Sequence, residues 1–391
     1  VWTPPSGAAA TSPVPPSDEG AARRLRDNRP ALIGLAVAAA VVIAGGSAYA
    51  LTRGGGGGGG TSGSGGPGTS TTSGAGTPVV SSDVILLPIV EPGTHDPVLH
   101  QMSTASDSFG RDLGLVPGIP AGSQTLPSTR PDREVLVYRW ATPGSGFPKD
   151  NGTLMEITHD GPPVPLFTHQ PSALLCHGRA AWSPDGSRMA LACHPDADGD
   201  HHDDPGAKPE IYVGDVDAQG RVDGTHLRRW ATSSSSIITS LSFTRSGDIA
   251  AAYKNGDAPG VYVGAVDGHP MRLTSHADTD AVASPTADLI AFARDGDLYL
   301  TSTDVATPPP CPGTGTRSTD ATGAGVCDLT GTSTGPAAAV MDPTWSWDGQ
   351  TIAYAVGSPS NSAIYLVSVT GGKPRRLTPP LAVGASGWGP R

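Results

Sequence analysis

The chain lacks the short signatures that frame common catalytic chemistries. Its 391 residues contain no H-E-x-x-H pair and no Walker or kinase glycine loop, and the G-x-S-x-G spacing occurs once, at Gly331-Thr332-Ser333-Thr334-Gly335, within a Gly/Thr-rich run. Zinc-protease and nucleotide-phosphate sites of the familiar kinds therefore have no local frame, and a spacing match alone is no nucleophile elbow. Eleven His among many Asp and Ser bring some of these types together by chance, which is no evidence of a triad, so the expectation is a protein that is not an enzyme. Cysteine is scarce as well: Cys176, Cys193, Cys311 and Cys327 form no C-x-x-C pair, which argues against a thiolate metal site. Basic charge is outnumbered, 25 Lys plus Arg against 36 Asp plus Glu, and such a surface is a poor match for nucleic acid.

Long hydrophobic runs are also missing, with one exception. Ala31 to Leu51 is free of charge, and a helix of that length, at about 1.5 Å per residue, spans roughly 30 Å of bilayer. Arg23, Arg24, Arg26 and Arg29 precede it and only Arg53 follows closely, so the positive-inside rule places the N-terminus in the cytoplasm and the rest outside. A cleaved signal peptide is the competing reading, because Ala48-Tyr49-Ala50 is an acceptable cleavage site; the long leader and long apolar stretch favour the anchor. Four regions follow: a disordered Pro/Ala-rich cytoplasmic segment over 1–30, a transmembrane helix over 31–51, a Gly/Ser/Thr-rich tether over 52–78, and a folded domain over 79–391. Residues 1–53 hold 5 basic and 3 acidic groups, leaving 20 against 33, net −13, beyond the membrane.

Within 79–391 a short pattern recurs. Trp182-Ser183-Pro184-Asp185-Gly186 precedes the apolar Met189-Ala190-Leu191, and versions of it stand at Thr129-Arg130-Pro131-Asp132, Phe243-Thr244-Arg245-Ser246-Gly247, Val282-Ala283-Ser284-Pro285 and Trp345-Ser346-Trp347-Asp348-Gly349. Pro presets the first corner of a turn, Asp bonds the backbone two residues on, and Gly takes the left-handed position. Trp182, Phe243, Val282 and Trp345 are expected on one strand face, packing between neighbouring sheets. Tyr-bearing strands follow at Tyr212, Tyr262, Tyr299 and Tyr365, and short last strands at His226–Trp230, Met271–Thr274 and Arg375–Thr378. Four strands per repeat is the content of a propeller blade.

These residues resemble the TolB-like β-propeller repeat, a WD40-like family whose blades carry W-S-P-D-G-x-x-I-A-[FY] and then a Tyr strand ending in G-G and [QR]-L-T. The closest copy runs from Trp345 through Gly371-Gly372 to Arg376-Leu377-Thr378. The resemblance implies an all-β propeller of four-stranded blades, six or alternatively five, since residues 93–125 read poorly as strands. It implies a binding fold and no ligand. Trp388 resembles the start of another repeat, so the ring is expected to close by Asp83–Val90 pairing with a C-terminal strand, which removes open edges.

Two disulfides are expected on the outer side, where they persist: Cys176 with Cys193, placed symmetrically about the Pro184-Asp185 turn, and Cys311 with Cys327, which bracket a Gly/Thr loop. One dense ligand cluster stands out at Asp196-Ala197-Asp198-Gly199-Asp200-His201-His202. Alternate carboxylates in a tight turn can face one hard cation, which makes Asp196, Asp198 and Asp200 candidate calcium ligands. His201 at the sixth position and Ala207 at the twelfth depart from the EF-hand form; a His-based transition-metal site and a solvated acidic loop are the other readings. The functional expectation is a membrane-anchored, extracytoplasmic propeller that binds a protein, peptide or glycan. The alternative is the sensor part of a transmembrane Ser/Thr kinase, since basic segment, membrane helix, tether and propeller follow in the order seen in actinobacterial kinases of that type, and Val1 leaves room for a preceding domain.

Overall fold

The computed structural model describes residues 42–43, 84–90, 96–142, 152–158, 161–199, 207–231, 237–256, 258–313, 315–331, 339–358 and 361–379. The expected cytoplasmic segment and tether lie outside these residues, as does Trp388. The described chain is built of short strands with one turn of 3-10 helix at Gly224–His226. No helix among the described residues is long and apolar enough to cross a membrane. Of the apolar stretch 31–51, Val42 and Ile43 alone are described, and they form a strand pairing with Leu86 and Ile85.

Six sheets of antiparallel strands, taken in chain order except at the outer edge of the fifth, make six blades. The first contains Val42–Ile43, Val84–Val90, Pro97–Ser103 and Asp112–Leu115, and the second Ser123–Thr129, Val135–Ala141, Thr153–Thr158 and Val164–Pro165. In the third, Leu174–Leu175 and Ala180–Trp182 both pair with Arg188–Pro195, followed by Glu210–Asp215 and Arg228–Ala231. The fourth runs from Ile238–Phe243 to Met271–Arg272. The fifth carries an extra strand, Thr316–Thr319, outside Gly325–Asp328, and the sixth runs from Ala339–Trp345 to Arg375–Arg376.

Residues 93–125, which read poorly as strands, thus supply two strands of the first blade. The burial of Pro97, Leu99, Met102 and Ser103 shows why they hold: side chains alternate toward a packed face over most of that strand. Ring closure also differs from expectation. Val84–Val90 is the second strand of its blade, and its described partners are Pro97–Ser103 and Val42–Ile43.

The core is divided among the interfaces between blades. Six buried clusters occur, one for each neighbouring pair. The strand Val84–Val90 shows how: Val84 and Leu86 pack toward the second blade with Leu136 and Tyr138, while Ile85, Leu87 and Ile89 pack toward the sixth with Ala353, Ala355 and Ile364. A strand covered on both faces reads as a continuous apolar run, as VILLPIV does. The last of these clusters joins the first blade to the sixth, so apolar burial closes the ring.

The repeated turn is a local hydrogen-bond device. Ser183 Oγ donates to Asp185 Oδ1 (2.6 Å), the Ser187 amide donates to the same carboxylate (3.1 Å), and the Arg188 amide donates back to Ser183 Oγ (2.9 Å). Gly186 takes φ 70° beneath it. The sixth blade repeats this at Ser346, Asp348, Gln350 and Thr351, with Gly349 at φ 67°. These bonds hold the Asp185 carboxyl down at about 2, with the Ser183 hydroxyl the largest contributor. Trp182 and Trp345 are buried against the preceding blade and donate their indole N–H to its inner strand, at Ser128 O (3.2 Å) and Val282 O (2.9 Å). The expected position of Val282 therefore needs correcting by one residue. Ala283, paired with Ile290 as Trp345 is with Ile352, stands where the tryptophans stand, and a slip of one residue exchanges the two faces of a strand.

Both disulfides form as expected, Cys176 with Cys193 and Cys311 with Cys327. The first ties the two strands of the third-blade hairpin, where Leu175 pairs with His194.

Candidate functional site

Around the ring axis the inner strands of blades two to six enclose a channel of about 710 Å³. The turn just described lies at one end. At the other, the strands begin irregularly: pairing slips between Thr125 and Ser128, Ile238 and Ser240, Thr279 and Val282, and Met341 and Thr344. Leu126, Asp280 and Asp342 adopt left-handed backbone, at φ 52°, 56° and 47°. Bulges of this kind turn a side chain away from the pleat and re-aim it. Counting three residues back from each aromatic position of the repeat gives Leu126, Arg179, Ser240, Asp280 and Asp342, all on the channel wall. Five equivalent positions thus hold four residue types, three of the residues being charged.

These charges meet inside the ring. Arg179 of the third blade places Nη2 3.0 Å from Asp342 Oδ1 of the sixth and 4.0 Å from Asp280 Oδ1 of the fifth. In a ring of six, the third and sixth blades face each other, so the Arg179–Asp342 pair spans the channel. The side chains are 16%, 5% and 14% exposed for Arg179, Asp342 and Asp280. Burial pushes the Asp280 carboxyl up. The opposing pulls of Arg179, the Asp342 amide, the Thr279 hydroxyl and Lys254 do not cancel it. The Asp280 amide is held by Thr239 Oγ1 at 3.0 Å. Ser240 and Thr129, both more than nine-tenths buried, line the same channel with hydroxyl oxygens that have no hydrogen-bond partner among the described residues. The arrangement can hold a polar, charge-bearing group; it contains no paired nucleophile and base.

A second buried ion cluster is fully used by the fold. Arg294 donates to both oxygens of Asp278 (2.7 Å each) and to Asp320 (2.7 Å), beside the stacked rings of Phe292 and Tyr299. Burial pushes Asp320 up, but hydrogen bonds from Ser275, the Thr322 amide, Arg294 and His276 outweigh it and hold that carboxyl well below the usual range.

The residues expected as calcium ligands are placed differently from one another. Asp196 is buried and accepts from the Gly199 amide (3.0 Å), closing its own turn. Asp198 is exposed, and Asp200 lies outside the described residues. Among the described residues no group of three His, Cys, Asp or Glu is placed to hold a metal ion. This loop follows Arg188–Pro195, whose far end pairs beside the start of Ala180–Trp182; it therefore lies at the bulge end of the ring, with Arg179. The charges at Arg179, Asp280 and Asp342 belong to no motif of the sequence; their common offset from the turn is the signal that finds them.

No protein-family model matches the chain, and no curated protein matches it in sequence. Among solved structures, TolB from Acinetobacter baumannii aligns with a TM-score of 0.49 at 16% identity, over 76% of this chain and 67% of that one. A nidogen/laminin complex gives 0.48 at 10% identity, over 76% and 93%. A puromycin hydrolase gives 0.46 at 14%, over 75% of this chain and 43% of the longer enzyme. At such identities and TM-scores a likeness leaves function open; the chain's own sheets make it an all-β propeller of six blades, with a split inner strand in the third and an extra outer strand in the fifth.

Proposed function

We propose that the chain is a non-catalytic binding module, a propeller displayed outside the cytoplasm that receives a protein, peptide or glycan segment at the bulge end of its channel. The observation that carries this reading is the channel itself: five blades contribute to one cavity, and its varied, charged residues occupy the positions where the repeat does not repeat itself. Thr344, on the inner strand of the sixth blade, lines that cavity, and Thr344→Trp narrows it. A partner captured from the cell envelope by the tagged wild-type chain should be lost with this variant; capture by both alike overturns the channel as the binding surface.

Display outside the cytoplasm is supported by the uncharged stretch 31–51 behind four arginines and by two disulfides, which persist in oxidising compartments. The strand Val42–Ile43 is a competing use of that stretch, since the same residues cannot lie both in a bilayer and in the first blade. Carbonate extraction of membranes separates the two: an anchored chain stays in the pellet, and release to the supernatant overturns the anchor. The kinase-sensor alternative rests on segment order. H-R-D and D-F-G motifs in a reading frame upstream of Val1 support it, and an immediate stop codon removes it.

A further inference from the structure

The bulge end of the channel holds two carboxylates and one guanidinium within reach of each other. Asp342 takes the short contact with Arg179, and Asp280 is left at 4.0 Å from the same nitrogen. Lys254, the other cation acting on Asp280, stands on an exposed turn at the end of Ile249–Tyr253. Asp280 is thus a desolvated carboxylate whose charge is incompletely matched, facing a cavity of about 710 Å³. Beside it on the fourth blade, Ser240 offers a buried hydroxyl with no partner among the described residues, able to accept from a donor group. Beyond residue 53 the chain has an acidic excess, net −13, which draws cations toward it.

We propose that this end of the channel is a binding site for a basic side chain, a guanidinium or ammonium carried by a partner peptide or protein, which pairs with Asp280 and shares Asp342 with Arg179. A guanidinium suits the geometry because its planar fork can meet a carboxylate with two parallel donors and still reach a hydroxyl. The inference rests on the channel being the binding surface and adds the chemistry of what enters it. Of the ligand classes that such a channel admits, it selects a cationic peptide over a neutral glycan.

The test uses the full chain in mild detergent at low ionic strength, with N-acetyl-arginine methylamide as the probe and its neutral citrulline counterpart as the control, followed by calorimetry. The arginine probe should bind at least about tenfold more tightly than the citrulline one, the discrimination expected of a charge-assisted pair. Asp280→Asn, which keeps shape and hydrogen bonding, should reduce the arginine probe to the citrulline level. Arg179→Gln, by removing the resident competitor, should tighten arginine binding by about fivefold or more. Arg133→Ala, at the turn end of the same channel, should change nothing. Equal binding of the two probes, or binding unchanged by Asp280→Asn, overturns the proposal. Should Arg179→Gln fail to fold, the Asp280→Asn arm still decides. If Thr344→Trp abolishes capture of the partner while the probes bind alike, the basic-group site falls and the channel stands; if Thr344→Trp leaves capture intact, the channel falls first.

Discussion

The two ends of the same inner strands obey different rules. At the turn end, Ser183, Asp185 and Gly186 of the third blade and Ser346, Asp348 and Gly349 of the sixth make the same hydrogen bonds at nearly the same distances. At the bulge end, the equivalent positions hold Leu126, Arg179, Ser240, Asp280 and Asp342. A turn that must close a hairpin has few good solutions, so two blades arrive at the same one independently. A side chain aimed into the channel answers to the five other blades and to whatever enters, so each blade contributes something different. Repetition marks the scaffold, and its failure marks the site.

The largest expected effect breaks the turn end. Trp345→Ala removes a buried indole and its bond to Val282 O and should cost about 3 to 5 kcal/mol in denaturant unfolding, with the arginine-probe affinity of the surviving fold unchanged. A change in affinity would show that the ends are coupled. Next is Arg179→Met, which leaves Asp280 and Asp342 facing each other without their cation; it should cost about 3 kcal/mol near neutral pH and less at low pH, where the carboxylates protonate. A cost that does not fall with pH would mean Arg179 acts by packing.

Glu156 sharpens the contrast, because it is a strongly shifted carboxyl that belongs to the scaffold. Burial pushes it up to about 7, with Arg221 and Arg130 pulling down and Asp217 pushing further up, and it packs under Gly220 of the third-blade hairpin. Its folded value exceeds its unfolded one. Between about pH 4.5 and 7 the unfolded chain therefore releases this proton while the folded chain keeps it, and stability falls as pH rises through that window. Glu156→Gln should remove a decline of about 2 to 3 kcal/mol, read as the difference in unfolding free energy between pH 4.5 and 8; an identical pH slope in both proteins would refute the assignment. The smallest effect is Gly186→Ala, which asks a residue with a β-carbon to hold φ 70°. It should cost about 1 kcal/mol as a lowered Tm, with no change in probe affinity.

Much of the scaffold could be read along the chain because its interactions are local. The Ser-x-Asp-Gly turn bonds within six residues, so its residue types announce it, and Cys176 and Cys193 sit at mirrored positions about one hairpin. Where partners are remote the reading slipped. Val282 was placed one residue from its true counterpart, Ala283, because without an aromatic the register shows only in the pairing with Ile290. The strand Pro97–Ser103 was obscured by Pro and His. Val84–Val90 was legible as a strand, yet its place as the second strand of the first blade depends on Val42 and Ile43, some forty residues away in the chain.

The sequence by itself determined that this protein is a ring of repeated hairpins held by local turns, aromatic wedges between sheets and two short-range disulfides, because those forces act between residues close in the chain. Only the tertiary structure decided which charges meet. Arg179 and Asp342 lie 163 positions apart, and nothing in either neighbourhood implies the other. They become a pair because closing six blades into a ring brings opposite walls within a side chain's length, and because the low-dielectric interior between those walls makes an unmatched carboxylate such as Asp280 matter.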